Sequence, residues 1–108
     1  MVTQGKVVGI FPAHGLTTLY YLVRKHASKP DAEAAMDRVL GHFLVGNLDI
    51  EGWREARRLP FADFEDAVVA TVARTSDSDS IITRNVDDFA GSSIPAKSPV
   101  DFLSETMI

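Results

Sequence analysis

The sequence contains no cysteine, and this absence removes several kinds of chemistry from consideration. None of the 108 residues carries a thiol, so disulfides, zinc–thiolate sites and cysteine nucleophiles are all excluded. A chain without disulfides fits a reducing compartment. We therefore expect a cytoplasmic protein.

Long apolar runs are lacking as well. No run approaches the roughly 20 residues that a membrane-spanning helix needs. The N-terminal stretch MVTQGKVVGIF has no charged segment followed by a long apolar one, as a signal peptide would have. We expect no membrane partner.

Positive charge is the third shortage. Eleven Lys and Arg residues face fifteen Asp and Glu residues, and the net charge is −4, which argues against a broad basic surface for nucleic acid. It leaves metal-dependent chemistry open, because a metal site adds carboxylates to the count. Two basic groups occur, one around Arg24 and Lys25 and one at Arg54, Arg57 and Arg58. Solvated helix faces are the favoured interpretation of both, with phosphate contact as the alternative.

Short β-branched segments alternate with longer segments of helical periodicity. The segments that predict strands are KVVGIF (Lys6 to Phe11), FLVG, SIIT and IPAK. Between them, helices are predicted to begin after Ser28, Asp49, Asp63 and Ser98, which are residues of the N-cap type. The length and the 45% hydrophobic content suit one domain over residues 1–108. The alternation predicts an α/β fold with a mostly parallel sheet.

Polar side chains follow two of the predicted strands. Ligands of parallel sheets gather at the carboxyl ends of the strands. The candidates after the first strand are His14, Thr17 and Thr18, and those after SIIT are Arg84, Asn85, Asp87 and Asp88. These two strand ends are therefore the expected location of a binding site.

Three acids at the start of a predicted helix allow two interpretations. Asp63, Glu65 and Asp66 could simply complement the helix dipole and cap its free N–H groups. Asp63 and Asp66 share a helix face, however. If Asp63 caps, Asp66 is free to face the neighbouring strand end. Together with Asn85 and Asp88 it would form an oxygen-rich site for Mg²⁺ or Mn²⁺, a cation that can activate water.

Ordinary packing and turn chemistry explain some of the same residues. The stretch NVDD is typical of a turn, with Phe89 as a hydrophobic plug behind it. Phe64 begins a broad apolar helix face that continues through Ala67 and Val68. Trp53 is expected to be packed in the core or half-buried, because it is not interleaved with basic residues as a base-stacking surface would be.

Taken together and in order, three segments resemble the PIN domain family. They are AHGLTTLYYLVRK, DFEDAVVATVA and IITRNVDDFAGSSIPAKSPVDFL. The resemblance extends from about Lys6 to Glu105. It implies a three-layer α/β/α arrangement with a mostly parallel sheet.

The resemblance also implies an activity. Such PIN domains are Mg²⁺- or Mn²⁺-dependent ribonucleases that cleave single-stranded RNA, and many are toxins of toxin–antitoxin pairs of the VapC type. Asp66 and Asp88 would hold the metal, and with Asn85 they would form the catalytic set. Arg84 would contact phosphate, while Thr17 or Thr18 would line the pocket.

The chain departs from the family pattern in its carboxylates. The family begins with a strand that ends in an essential aspartate, and nothing of this kind precedes Lys6. We therefore expect an N-terminally truncated, incomplete domain. Thr18 and Asn85 also stand where the family often has acids. One or two carboxylates hold Mg²⁺ only with the help of waters or substrate phosphates, so we expect weakened activity and a metal that this chain alone does not retain.

A missing strand would leave backbone groups of the sheet unpaired. A homodimer or an antitoxin protein would cover them, and a homodimer is the expected state. The alternative function is a non-catalytic PIN-like module that binds another protein. A phosphate-accepting receiver-like domain is a third hypothesis, but the first strand is followed by Pro-Ala-His rather than by the acids it requires.

Overall fold

The computed structural model describes the backbone of residues 2, 3 and 6–106 and the side chains of residues 7–105. The five helices are α1 (His14–His26), α2 (Lys29–His42), α3 (Ile50–Arg58), α4 (Phe64–Thr75) and α5 (Pro99–Thr106), and Val86–Phe89 form a short 3-10 helix. The strands are β1 (Val2–Thr3), β2 (Lys6–Val7), β3 (Ile10–Pro12), β4 (Leu44–Gly46), β5 (Ile81–Ile82) and β6 (Ala96–Lys97). None of the described helices is both long and apolar enough to cross a membrane.

Strand pairing confirms the α/β class. β3 pairs with β4 in parallel, with Ile10 opposite Leu44, and β5 pairs with β6 in parallel. β1 and β2 form an antiparallel pair. Within the described residues the strands make three two-stranded sheets, of which two are parallel.

The described chain divides into two units. One is Val8–Asn47, and the other contains the remaining described residues. In the first unit α1 packs on α2, β3 pairs with β4, and the rings of Phe11 and Phe43 meet edge to face with centroids 6.1 Å apart. The interpretation of residues 1–108 as a single domain stays a prediction.

The prediction of one continuous strand from Lys6 to Phe11 is wrong. The structure has two short strands in its place, with Val8 and Gly9 between them. Gly9 lies against the Phe43 ring so closely that a Cβ atom there would be 2.7 Å from two ring carbons. Its carbonyl accepts a hydrogen bond from the Leu44 N–H at 2.9 Å. The break therefore reflects a close backbone approach that only glycine permits.

The second unit is built around α4. This helix buries Ala67, Val68, Ala70, Thr71, Val72 and Ala73. α4 packs against α3, and the Arg74 guanidinium joins the two helices by donating to both carboxylate oxygens of Glu55, with Nε to Oε2 at 2.6 Å. A further cluster links α4 to β5 and to the 3-10 helix through Ala70, Ala73, Ile81 and Phe89.

All four predicted helix starts are confirmed by side-chain hydrogen bonds. In each case an oxygen of the capping residue accepts an N–H from the first turn of the helix. The bonds run from Asp31 to Ser28, from Gly52 to Asp49, from Glu65 to Asp63 and from Asp101 to Ser98, at 2.7–3.1 Å. These starts were predictable because a cap and its partner lie within a few residues of each other.

Candidate metal site

The acids at the start of α4 have different roles. The Asp63 carboxylate accepts the Glu65 N–H at 2.7 Å and so caps the helix. Asp66 lies one turn further along and is half-buried. The capping interpretation is thus confirmed for Asp63, while Asp66 stays available for another role.

Helix periodicity places Asp66 on the face of α4 that packs against β5 and the 3-10 helix. Positions 66, 70 and 73 recur at intervals of four and three residues and therefore share one face of α4. Ala70 and Ala73 on this face belong to the same cluster as Phe89. Because Asp88 immediately precedes Phe89 in the chain, burial of that ring brings the 3-10 helix and its acids to the side of α4 that carries Asp66.

The Asp66 and Asp88 carboxylates lie near enough to each other to interact electrostatically. Burial raises the pKa of Asp66, and the negative charges of Asp63, Asp88 and Glu65 raise it further, in that order. Desolvation and like charges both disfavour an ionised carboxyl group. The site therefore concentrates negative charge around Asp66, as a site that binds a cation would.

The chain between β5 and the 3-10 helix forms an open pocket of about 320 Å³, lined by Arg84, Asn85, Val86, Asp87 and Asp88. Thr83 shapes it, because its hydroxyl oxygen accepts the Asn85 N–H at 3.0 Å. The Asn85 carbonyl in turn accepts the Asp88 N–H at 3.0 Å. The predicted turn is thus a single 3-10 turn. The contribution of Thr83 was missed, although a threonine two residues before a turn position is a recognisable local signal.

The structure brings together four of the six predicted site residues. Asp66 and Asp88 are electrostatic neighbours, and Arg84, Asn85 and Asp88 line one pocket. Thr17 and Thr18 are exposed on α1, in the unit formed by Val8–Asn47. Their assignment to the site stays a prediction.

The donor set suits a hard cation, but it is small. Among the described residues, no three His, Asp or Glu side chains are close enough together to hold a metal ion. The acids around Asp66 are therefore near enough to repel one another without forming a closed cage. Mg²⁺ is commonly bound by one or two carboxylates, with waters and substrate phosphates completing its coordination. Asp66 and Asp88 fit that kind of open site.

The raised pKa of Asp66 predicts an effect on stability. At about pH 7 the carboxyl group is ionised in both states, so the folded state bears the full burial and repulsion cost. As the pH falls through the raised pKa towards the usual value of 3.8, the group takes up a proton and the cost disappears. Asp66→Asn should therefore raise the melting temperature near neutral pH, and the gain should shrink on acidification.

This prediction is checked by thermal unfolding of both proteins in chelator across that pH range. Asp37→Asn is the matched control, since it makes the same chemical change at an exposed position of α2. A variant at position 66 that melts below the parent at neutral pH would contradict the assigned cause.

The fold and the candidate site together define a class of protein. The protein is an α/β protein in which two carboxylates meet where a helix start and a strand exit come together. The family model described as PIN domain matches residues 1–87, and the chain belongs to this family. The matched range includes Asp66 and Asn85 and ends one residue before Asp88. PIN domains are a family of nuclease type and generally depend on divalent metal ions. No curated protein and no solved structure matches the chain.

Proposed function

We propose that this protein is a ribonuclease that cleaves single-stranded RNA and depends on Mg²⁺ or Mn²⁺. The observation that supports the proposal is the meeting of Asp66 and Asp88 at the start of α4, where burial and, after it, repulsion between carboxylates raise the pKa of Asp66. A divalent cation would relieve that repulsion. The family supplies the reaction type, and the acid pair supplies a location for it.

Each site residue has a role in this proposal. Asp66 and Asp88 would hold the metal ion, which when bound activates water and stabilises charge on a phosphoryl group. Asn85, beside Asp88 in the pocket, would orient the site through its amide. Arg84 would contact a substrate phosphate as a charged hydrogen-bond donor. Thr17 or Thr18 would line the substrate pocket.

The proposal includes weakened activity. Two carboxylates leave most coordination positions to water and substrate, so metal affinity depends on RNA being present. Asn85 offers a neutral amide oxygen where a carboxylate would contribute charge. The metal should accordingly bind weakly to the protein alone and more tightly in the presence of uncleavable RNA.

Metal-dependent cleavage is the direct test. Purified protein is incubated with unstructured RNA while Mn²⁺ is titrated, and the products are resolved by length. We expect cleavage that rises with Mn²⁺ and is abolished by chelator. A calorimetric titration of Mn²⁺ without RNA should show weak binding. Neither binding nor cleavage over the whole titration would refute the ribonuclease proposal for this chain.

A non-catalytic protein-binding module is the second candidate function. It is favoured by the lack of a three-membered ligand cluster among the residues that the structure describes and by apolar surface on the β3–β4 sheet, where Leu44 is 61% exposed. A two-stranded sheet with an apolar surface is suited to receive another polypeptide. A protein that binds a partner tightly, binds no Mn²⁺ and leaves RNA intact would have this function.

The biological setting is also a proposal. We infer a cytoplasmic toxin of a VapC-like toxin–antitoxin pair, with an antitoxin protein as its partner and a homodimer as its own state. The exposed Leu44 and Val45 of β4 support an assembly that covers this sheet. Light scattering of the purified chain should give twice the monomer mass, and a monodisperse monomer would count against the dimer.

A further inference from the structure

We propose that the outward face of α1 binds an unpaired RNA strand through its phosphates and one of its bases. This surface is called the α1 outer face below, and it consists of five exposed residues: Thr17, Thr18, Tyr21, Arg24 and Lys25. The proposal rests on the ribonuclease function proposed above and names a surface that would hold its substrate. It concerns the unit Val8–Asn47 alone.

Helix periodicity brings the five residues of the α1 outer face together. Each of the other four is three or four positions from Tyr21 and lies within about 60° of it around the helix axis. α1 contacts α2 and β3. The opposite face of α1 packs against these elements, since its residues are half-buried: Leu16, Leu19, Tyr20 and Val23.

The α1 outer face is positively charged and contains no acid. α1 has no Asp or Glu, whereas each of the other four α-helices has at least two. Among the described residues, neither Arg24 nor Lys25 forms an ion pair. The acids nearest in sequence, Asp31 and Glu33, belong to α2, against which the opposite face of α1 packs. Two cations without a counter-charge on an acid-free helix favour an anionic ligand.

The charge of the whole chain does not oppose this assignment. The unit Val8–Asn47 contains four Lys and Arg against three Asp and Glu, whereas the rest of the chain has seven against twelve. The net charge of −4 therefore arises from residues outside this unit. An anionic ligand is repelled less by this unit than by the rest of the chain.

Tyr21 favours a nucleic acid over other anionic partners. Tyr21 is 59% exposed, and the Lys25 ammonium lies over its ring, 5.9 Å from the centroid. At this cation–π distance a positive charge stands beside an open aromatic surface. An unpaired base can stack on the ring while its phosphates meet Lys25 and Arg24, and this combination is typical of single-strand binding. Thr17 and Thr18 add hydroxyl donors for phosphate and sugar oxygens.

The helix dipole explains only part of the α1 outer face. Arg24 and Lys25 lie in the last turn of α1, where the carbonyl end of a helix stabilises cations. That effect needs no aromatic ring one turn earlier. Core packing does not account for Tyr21 either, because more than half of its surface is exposed. A ligand that uses charge and stacking together accounts for both features.

Fluorescence anisotropy of a labelled, unstructured RNA of mixed sequence measures binding to the full chain in chelator, where no metal contributes. The competitors are an abasic ribose–phosphate chain of the same length, a duplex of the same sequence and a polyglutamate of the same charge. We expect the unlabelled single strand to compete best. Equal competition by the abasic chain or by polyglutamate would overturn the proposal, because the surface would then recognise charge alone.

Charge variants locate the phosphate contacts. The logarithm of the affinity falls with the logarithm of the salt concentration, with a slope of about 0.7 per neutralised phosphate of a single strand. Arg24→Gln combined with Lys25→Gln should therefore weaken binding and reduce the slope by about 1.4. Arg57→Gln combined with Arg58→Gln is the matched control, since it removes the same charge from exposed positions of α3. An equal effect of the two pairs would refute the proposal.

Tyr21 variants have a different signature. Tyr21→Leu should weaken binding by about 5- to 150-fold, the range expected for the loss of one base stack, and should leave the salt slope unchanged. Tyr21→Phe keeps the ring and should retain most of the affinity. Phe64→Leu is the control at another exposed aromatic residue, on α4. Unchanged affinity of Tyr21→Leu would overturn the proposal, and the charge pairs test the same face if this variant does not fold.

The outcomes separate this proposal from the ribonuclease function. Single-strand binding through Tyr21, Arg24 and Lys25 in a protein that never cleaves RNA would support the α1 outer face and refute the enzyme. If both hold, the variants should raise KM for cleavage and leave kcat nearly unchanged, as loss of uniform substrate binding does. Metal-dependent cleavage with an unaltered KM in all these variants would support the enzyme and refute the α1 outer face.

Discussion

Asp66→Asn is expected to lower metal-dependent RNA cleavage by about 100-fold or more. Loss of a group that merely supports a metal ligand typically costs about 10–100-fold in affinity or activity, and Asp66 would be a ligand itself. Asp66 and Asp88 are the two carboxylates to which the proposal assigns the metal, so the loss of Asp66 would halve the charged ligand set. The measurement is the initial cleavage rate of unstructured RNA at saturating Mn²⁺, compared with the parent and with Asp37→Asn.

The same substitution should stabilise the fold while it removes activity. Asp66 is costly to the folded protein because it is half-buried and lies among the charges of Asp63, Asp88 and Glu65. Residues that destabilise a fold and serve a function are expected at binding sites. A purely structural role for Asp66 predicts the opposite, namely that activity and stability fall together, so the pair of measurements separates the two explanations.

Asn85→Asp provides the converse change. Asn85 lines the pocket with Asp88, and a carboxylate at this position would give the site a third acid. We expect tighter Mn²⁺ binding and faster cleavage than in the parent, together with a lower melting temperature in chelator, since like charges repel. Unchanged metal affinity would show that position 85 does not belong to the metal site.

Phe89→Ala is expected to destabilise the protein by about 3–5 kcal/mol, the usual cost of removing a buried phenyl ring. Phe89 is 6% exposed and packs with Ala70, Ala73 and Ile81. Its ring also meets Phe61 edge to face, with centroids 6.1 Å apart. Domains of this size are stable by only about 5–15 kcal/mol, so the loss would be a large fraction of the total. Urea unfolding monitored by circular dichroism measures it.

Phe89→Ala should also disturb the candidate metal site. Phe89 holds the 3-10 helix against α4, so its loss would free Asp88 from its position beside Asp66. Val86→Ala is the matched control, because Val86 lies in the same 3-10 helix but is exposed, and it should cost less than about 1 kcal/mol. If Phe89→Ala does not fold, Phe89→Leu should show a smaller loss in the same direction. Equal effects at positions 86 and 89 would contradict the anchoring role.

The relation between Phe89 and Asp88 explains how a short polar segment becomes a site. In the sequence, NVDDF is compatible with a simple turn, and turn chemistry alone does not distinguish the acids at 87 and 88. In the structure Phe89 is inserted into the core, and its neighbour Asp88 is the acid whose charge acts on Asp66. Hydrophobic packing therefore selects which aspartate takes part in the candidate site.

Local interactions were predictable from the sequence. Each helix start depends on one side chain and an N–H a few residues away, and Ser28, Asp49, Asp63 and Ser98 were all identified correctly. Each of the four segments expected to form strands contributes at least one, and KVVGIF contributes two, because short β-branched runs next to turn residues carry a local signal. The order of these segments also led to the PIN domain family, which the family model confirms.

The sequence by itself thus determined the helices and the family and pointed to the segments of the candidate site, since these depend on neighbours along the chain. The tertiary structure decided three further points. Gly9 interrupts a strand because the Phe43 ring lies against it. Asp66 and Asp88 repel each other because Phe89 packs beneath α4. Trp53 is exposed beside Phe64 because α3 packs against α4. All three depend on contacts between residues far apart in sequence, and only the folded chain specifies such contacts.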